Sequence, residues 1–132
     1  MIALDTNVLV RYLVRDDAAQ ADAARALLET LSPDRPGYVC REVVVELVWV
    51  LERAYGFDRS DIATILEQLV TTAGLVIESA DDVARSASGY RLGGAGFADR
   101  MILAAARRSD DDDLYTFDRM AAELPGVRLL PA

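Results

Sequence analysis

A chain of 132 residues with 52% hydrophobic content fits one globular domain, expected to span residues 1–132, and excludes a disordered polymer. It has no histidine, one cysteine (Cys40), and arginine at all 14 basic positions, which removes histidine triads, zinc sites, Walker-type lysines and Schiff-base lysines. The net charge of −8 disfavours long-range attraction to a polyanion and favours a basic partner, a bound cation or plain solubility.

No apolar run approaches the ~20 residues of a membrane span, and no basic stretch with an apolar signal core opens the chain. A lone cysteine cannot form an internal disulfide, so a reduced, cytoplasmic setting is expected.

Ile2-Ala3-Leu4 is a short apolar run, suited to a buried strand that Asp5 ends. Val8, Leu9, Tyr12 and Leu13 then follow at helical spacing. Asp16-Asp17 sits where an N-cap belongs, opening a helix to about Leu31. A Pro- and Gly-rich turn at 32–37 leads into a strand at Tyr38-Val39-Cys40, then a helix over Arg41–Tyr55 that Gly56 ends. Asp58 caps the next helix, which reaches about Thr72. Leu75-Val76-Ile77 is a buried strand, and Ser79 with Asp82 reads as a capping-box variant opening a helix through about Tyr90.

Leu92–Gly96 is a flexible loop without a dinucleotide fingerprint, since no strand precedes it and Asp99 stands at the third glycine position. Phe97–Ser109 is helical, and the acid run Asp110–Asp113 is a solvated loop. Leu114–Phe117 is a strand ending in Asp118, Met120–Leu124 a short helical turn and Val127–Leu130 a last strand. Alternating strands and helices, with apolar strands, predict a parallel sheet covered on both faces.

Most of the 22 acids read as caps, loops or solvated faces, but four do not. Asp5 and Asp118 each follow a strand, at the edge where open α/β sheets bind ligands; each is equally readable as a cap or turn residue. Glu46 has Trp49 and Val50 at i+3 and i+4, so a purely solvated stripe with Glu42 and Arg53 is the weaker reading. Asp99 lies in the first turn of its helix, on the face of Ile102, Leu103 and Ala106, as a satisfied cap or as part of a site. If the four met, each ionised pair would repel by roughly 3 kcal/mol at ~5 Å and an effective dielectric of 20. They would then take up protons or hold a cation, and all-oxygen donors suit Mg²⁺ or Mn²⁺, which can activate water against a phosphodiester.

These residues resemble the motifs of PIN-domain ribonucleases, most closely VapC-type toxins of type II toxin–antitoxin pairs. Leu4-Asp5-Thr6-Asn7-Val8-Leu9 with Arg11-Tyr12-Leu13 is similar to the family's first motif, and Glu46–Leu51 with Tyr55 to its second. Phe97-Ala98-Asp99 and Thr116-Phe117-Asp118 are similar to the third and fourth. The resemblance implies a three-layer α/β/α sandwich with about four to five strands, mostly parallel, in order 3-2-1-4-5. It implies an acidic quartet of Asp5, Glu46, Asp99 and Asp118, with Asp5 and Asp99 as direct Mg²⁺ ligands and Thr6, Asn7 and Thr116 orienting ligands or water.

It further implies Mg²⁺- or Mn²⁺-dependent endonucleolytic cleavage of RNA, a homodimer, and a VapB-type antitoxin whose basic tail covers the acidic crevice. DNA would be reached only through the antitoxin, and no membrane is involved. Arg11, Arg91 and Arg100 are candidate phosphate contacts. The alternatives are a non-catalytic module for a basic peptide and a housekeeping RNA-processing enzyme of the same fold. A haloacid-dehalogenase-like phosphatase fits poorly because Asn7 stands where its second Asp belongs, and a receiver domain because there is no lysine.

Overall fold

The computed structural model describes residues 1–110 and 113–132. Among them are six α-helices and five short parallel strands. In chain order these are β1 (Ile2–Ala3), α1 (Thr6–Val14), α2 (Ala18–Glu29), β2 (Gly37–Val39), α3 (Arg41–Arg53), α4 (Arg59–Val70) and β3 (Leu75–Ile77). There follow α5 (Ala80–Arg91), α6 (Phe97–Arg108), β4 (Leu114–Thr116), a 3₁₀ turn (Ala121–Glu123) and β5 (Val127–Leu129). The expected solvated loop at Asp110–Asp113 has Asp111 and Asp112 outside the described residues.

β1, β2 and β3 form one parallel ladder, with Ile2 opposite Gly37 and Tyr38 opposite Val76. β4 and β5 form a second, with Leu114 opposite Val127. The expected order 3-2-1-4-5 is therefore met in two pieces, because no ladder joins β1 to β4 among the described residues. β1 pairs over only two residues before Asp5 turns the chain into α1. Coverage on both faces is also incomplete: Val76, Tyr115 and Leu129 are exposed on their strands.

The core lies between the three-stranded ladder and the helices. Leu4, Val39 and Ile77 come from strand segments, and Leu9, Leu47, Leu51, Ile62 and Leu66 from helices. Each is essentially buried, and burying one such side chain contributes about 1.5–3 kcal/mol. Local capping works as the sequence suggests at two helices: Asp17 accepts from the Gln20 N–H at 3.0 Å and Asp58 from the Asp61 N–H at 2.8 Å.

The Ser79–Asp82 capping box does not form. Ser79 sits at φ 56°, a left-handed conformation, and makes no side-chain cap bond. Asp82 is 5% exposed and instead accepts from Arg108 Nε (2.7 Å), Arg108 Nη2 (3.0 Å) and Arg41 Nη1 (3.0 Å). Arg41 also donates to the Met101 carbonyl at 2.7 Å, so this one carboxylate ties the start of α3 to α5 and α6. Two guanidiniums outcompete a helix end for a buried carboxylate because both partners are charged.

Candidate active site

Asp99 is positioned by the loop before it. Gly93 and Gly94 adopt φ of 101° and 75°, conformations that side chains resist, and so fold the loop sharply. Two arginines fasten it. Arg59 donates to the carbonyls of Tyr90 (3.1 Å), Gly94 (2.9 Å) and Ala95 (3.3 Å), and Arg100 to those of Gly93 (3.0 Å) and Ala95 (3.1 Å). Gly89 makes this possible, since a Cβ there would overlap the Arg100 guanidinium. Phe97, buried edge-on against Tyr90 at 6.1 Å, anchors the first turn of α6. Asp99 therefore has little freedom of position.

Its carboxyl is held above the usual aspartate range, first by burial and then by the charge of Asp118; the Gly96 backbone N–H opposes both. Asp118 arrives on the turn after β4. Its Oδ1 accepts from the N–H groups of Met120 (2.8 Å) and Ala121 (3.1 Å), while Thr116 Oγ1 accepts from the Asp118 N–H at 2.9 Å. Thr116 thus shapes the turn that carries Asp118.

Asp5 ends β1 and caps α1, Oδ1 accepting from the Thr6 N–H at 2.8 Å. Next to it Thr6 is 3% exposed, and its Oγ1 has no hydrogen-bond partner. A buried hydroxyl without a partner costs about 1–3 kcal/mol, and marks a place that a ligand or water would satisfy. Asn7 is exposed in a shallow groove with Arg11, Gln20 and Ala23, between α1 and α2.

Glu46 stands apart from these acids. It is exposed in a groove of ≈690 Å³ between α3 and α6, with an apolar floor including Val48 and Met101 and with Glu42, Glu52 and Glu78 on its walls. Its helical neighbour Trp49 is 58% exposed and Ile102 of α6 is 53% exposed. Both line this open groove. Ile102 likewise shows that the Asp99 face of α6 is only partly covered.

The structure therefore brings Asp99 and Asp118 together, keeps Asp5 at the end of β1 beside an unpartnered hydroxyl, and sets Glu46 in the α3–α6 groove. Among the described residues no three His, Cys, Asp or Glu side chains come close enough to share a metal. A pair of carboxylates still fits a hard divalent ion: Mg²⁺ is commonly held by one or two carboxylates and keeps several waters. Of the candidate phosphate contacts, Arg11 is committed to Asp16 and Arg91 to Glu67, which leaves Arg100 without a carboxylate partner among the described residues.

Sequence reasoning missed Glu78. It follows β3 directly, as Asp5 follows β1, so the same strand-end rule applied to Leu75-Val76-Ile77 would have found it. Its Oε1 accepts from the Arg41 N–H at 2.8 Å and caps α3, where Cys40 makes no side-chain cap bond. The Tyr38 hydroxyl is pushed up by burial and then by Glu78's charge.

The family model described as PIN domain matches residues 2–127, and the chain belongs to that family. PIN domains are generally metal-dependent nucleases that act on RNA. The search of the curated proteins found no match.

Proposed function

From this membership we propose that the chain, acting as a single domain over residues 1–132, is a Mg²⁺- or Mn²⁺-dependent endoribonuclease. The observation that carries the reading is the half-buried Asp99, just after a loop fastened by two arginines, its proton affinity raised by burial and then by the charge of Asp118. A half-buried carboxyl whose charge is disfavoured, with a second carboxylate beside it, is suited to a divalent cation. Asp99 and Asp118 would hold it, with Asp5 and Glu46 as the outer members of the acidic set, and a bound ion would supply Lewis-acid activation of water and stabilise charge on the leaving oxygen. Thr6 Oγ1 offers a buried hydroxyl to the ligands around Asp5, Asn7 would orient ligands or water beside it, and Thr116 holds the Asp118 turn.

Asp99→Asn and Asp118→Asn test this directly. Each variant, if folded, should lose RNA cleavage in Mg²⁺ and in Mn²⁺, whereas undiminished cleavage by either would remove the reading. Mapping the fragments gives the cleavage position.

We further propose that it is the toxin of a VapBC-type pair, a homodimer in the cytoplasm neutralised by a VapB-type partner. The groove of Glu42, Glu46, Glu52 and Glu78 around Val48, Trp49 and Met101 supports this, since acidic walls over an apolar floor complement a basic amphipathic tail. Growth arrest on expression, relieved by a small basic protein encoded alongside, is the expected result; absence of arrest by active enzyme would favour a housekeeping RNA-processing role. The same groove favours a second reading, a non-catalytic module for a basic peptide, which predicts peptide binding with no RNA turnover at any metal concentration.

A further inference from the structure

A second groove, of ≈530 Å³, runs along the outer face of α5 and α6 beside Leu124 and Pro125. It is lined by four arginines, Arg85, Arg100, Arg107 and Arg108, and two acids, Asp81 and Asp82. On a chain with net charge −8 this reverses the local sign. Asp82 pairs with Arg108 and with Arg41, which leaves Arg85, Arg100 and Arg107 against the single acid Asp81. Arg85, Arg100 and Arg107 have no carboxylate partner among the described residues. Arg100 and Arg107 donate to backbone carbonyls, Arg107 to that of Pro125 at 2.6 Å, and neither makes an ion pair among the described residues. Arg85 makes no hydrogen bond among the described residues and is exposed at the lip.

We propose that this groove binds phosphate groups of a single-stranded RNA and guides the strand toward Asp99, a step that rests on the endoribonuclease reading. Arg100 is the residue after Asp99, so the groove and that acid share helix α6. Arg100 and Arg107 are seven positions apart on one helix, about 10 Å along its axis, which exceeds the width of one phosphate. Guanidinium forks match phosphate oxygens in pairs, and their charge concentrates a polyanion that the rest of the surface repels. Leu103, Ala104 and Leu124 give apolar wall against which sugar and base can rest. This explains how an acidic protein holds RNA at all.

The test is binding of a fluorescent single-stranded RNA to the full chain in EDTA, which separates binding from cleavage, over a range of salt. Arg85→Ala and the double variant Arg85→Ala/Arg107→Ala should weaken binding, the double variant by roughly 10-fold. The slope of log affinity against log salt should become shallower by about 0.7 for each phosphate no longer neutralised. Arg85→Ala should leave the melting temperature unchanged, because Arg85 holds nothing in the fold. Wild-type affinity and slope in a folded double variant would overturn the proposal even if the enzyme cleaves RNA. Polyglutamate displacing the RNA at equal charge would overturn it too, in favour of an acidic peptide. Arginine-dependent RNA binding without cleavage in Mg²⁺ or Mn²⁺ would uphold the groove and remove the nuclease reading instead.

Discussion

Asp82→Asn should lower stability by about 2 kcal/mol. The side chain is 5% exposed and joins two arginines that are 20% (Arg41) and 57% (Arg108) exposed. Breaking a fully buried pair costs about 3–5 kcal/mol, but neither arginine is fully buried, and Arg108's ion pair is largely screened by water. What remains is chiefly the charge-assisted bond from Arg41, on the order of 1.5–3 kcal/mol, since an amide turns a donor toward a donor. For a chain of this size about 2 kcal/mol corresponds to roughly 6–10 °C in Tm.

The pH dependence gives a second signature. Arg108, followed by Arg41, holds the Asp82 carboxyl below its ordinary 3.8 against the effect of burial. A depressed carboxylate stabilises the fold above its ordinary value and loses that contribution as pH falls through the lowered one. Urea unfolding from pH 7 down to the acid limit should therefore show the wild type and Asp82→Asn converging below about pH 4. A difference under about 0.5 kcal/mol at pH 7, or one that stays constant into acid, would refute the assignment of Asp82 as the tie between α3, α5 and α6.

Asp99→Asn should stabilise the metal-free protein at neutral pH. The wild-type carboxyl is raised, so its fold loses stability as pH climbs from the ordinary aspartate range through the raised value, and the amide abolishes that loss; pH-resolved melting curves read it. Gly89→Ala should push the Arg100 guanidinium off the Gly93 and Ala95 carbonyls and release the loop before Asp99. RNA cleavage should then fall by ~10-fold or more, since small misplacements of a reacting group are costly, with little change in Tm because alanine improves the helix by about 0.5–1 kcal/mol. Leu47→Ala, at a position with no solvent exposure, should cost about 2–5 kcal/mol by urea unfolding while leaving the site residues untouched.

Features decided within a few residues were legible in the sequence. The caps at Asp17 and Asp58, the β3 strand, the α6 start at Phe97 and the carboxylates at strand ends all follow from local patterns. Features decided by distant residues were not. Asp82 reads as half of a capping box until Arg41 and Arg108, 41 and 26 positions away, are seen to claim it. A solvated stripe at Glu46 reads as the weaker choice because Trp49 and Val50 follow it by one turn, yet Glu46 and Trp49 are both exposed, since the groove between α3 and α6 is open. Nor can apolar runs specify which strand pairs with which, so the seam expected between β1 and β4 was beyond local reasoning.

Asp5 and Asp118 were each readable as a cap or as a ligand, and their geometry removes the conflict. A carboxylate has two oxygens, and each of these residues spends Oδ1 on backbone N–H groups: Thr6 for Asp5, Met120 and Ala121 for Asp118. Capping orients the group at a strand end and leaves Oδ2 free of those bonds. Asp99 follows a different course, half-buried over Gly96 with its charge disfavoured. At ~5 Å and an effective dielectric of 20 each ionised pair repels by roughly 3 kcal/mol, so gathering all four acids without a cation would consume stability comparable to that of a whole domain, about 5–15 kcal/mol. The fold brings Asp99 near Asp118 and tethers Asp5 by one oxygen, so these acids do not bear the full repulsion of a gathered set.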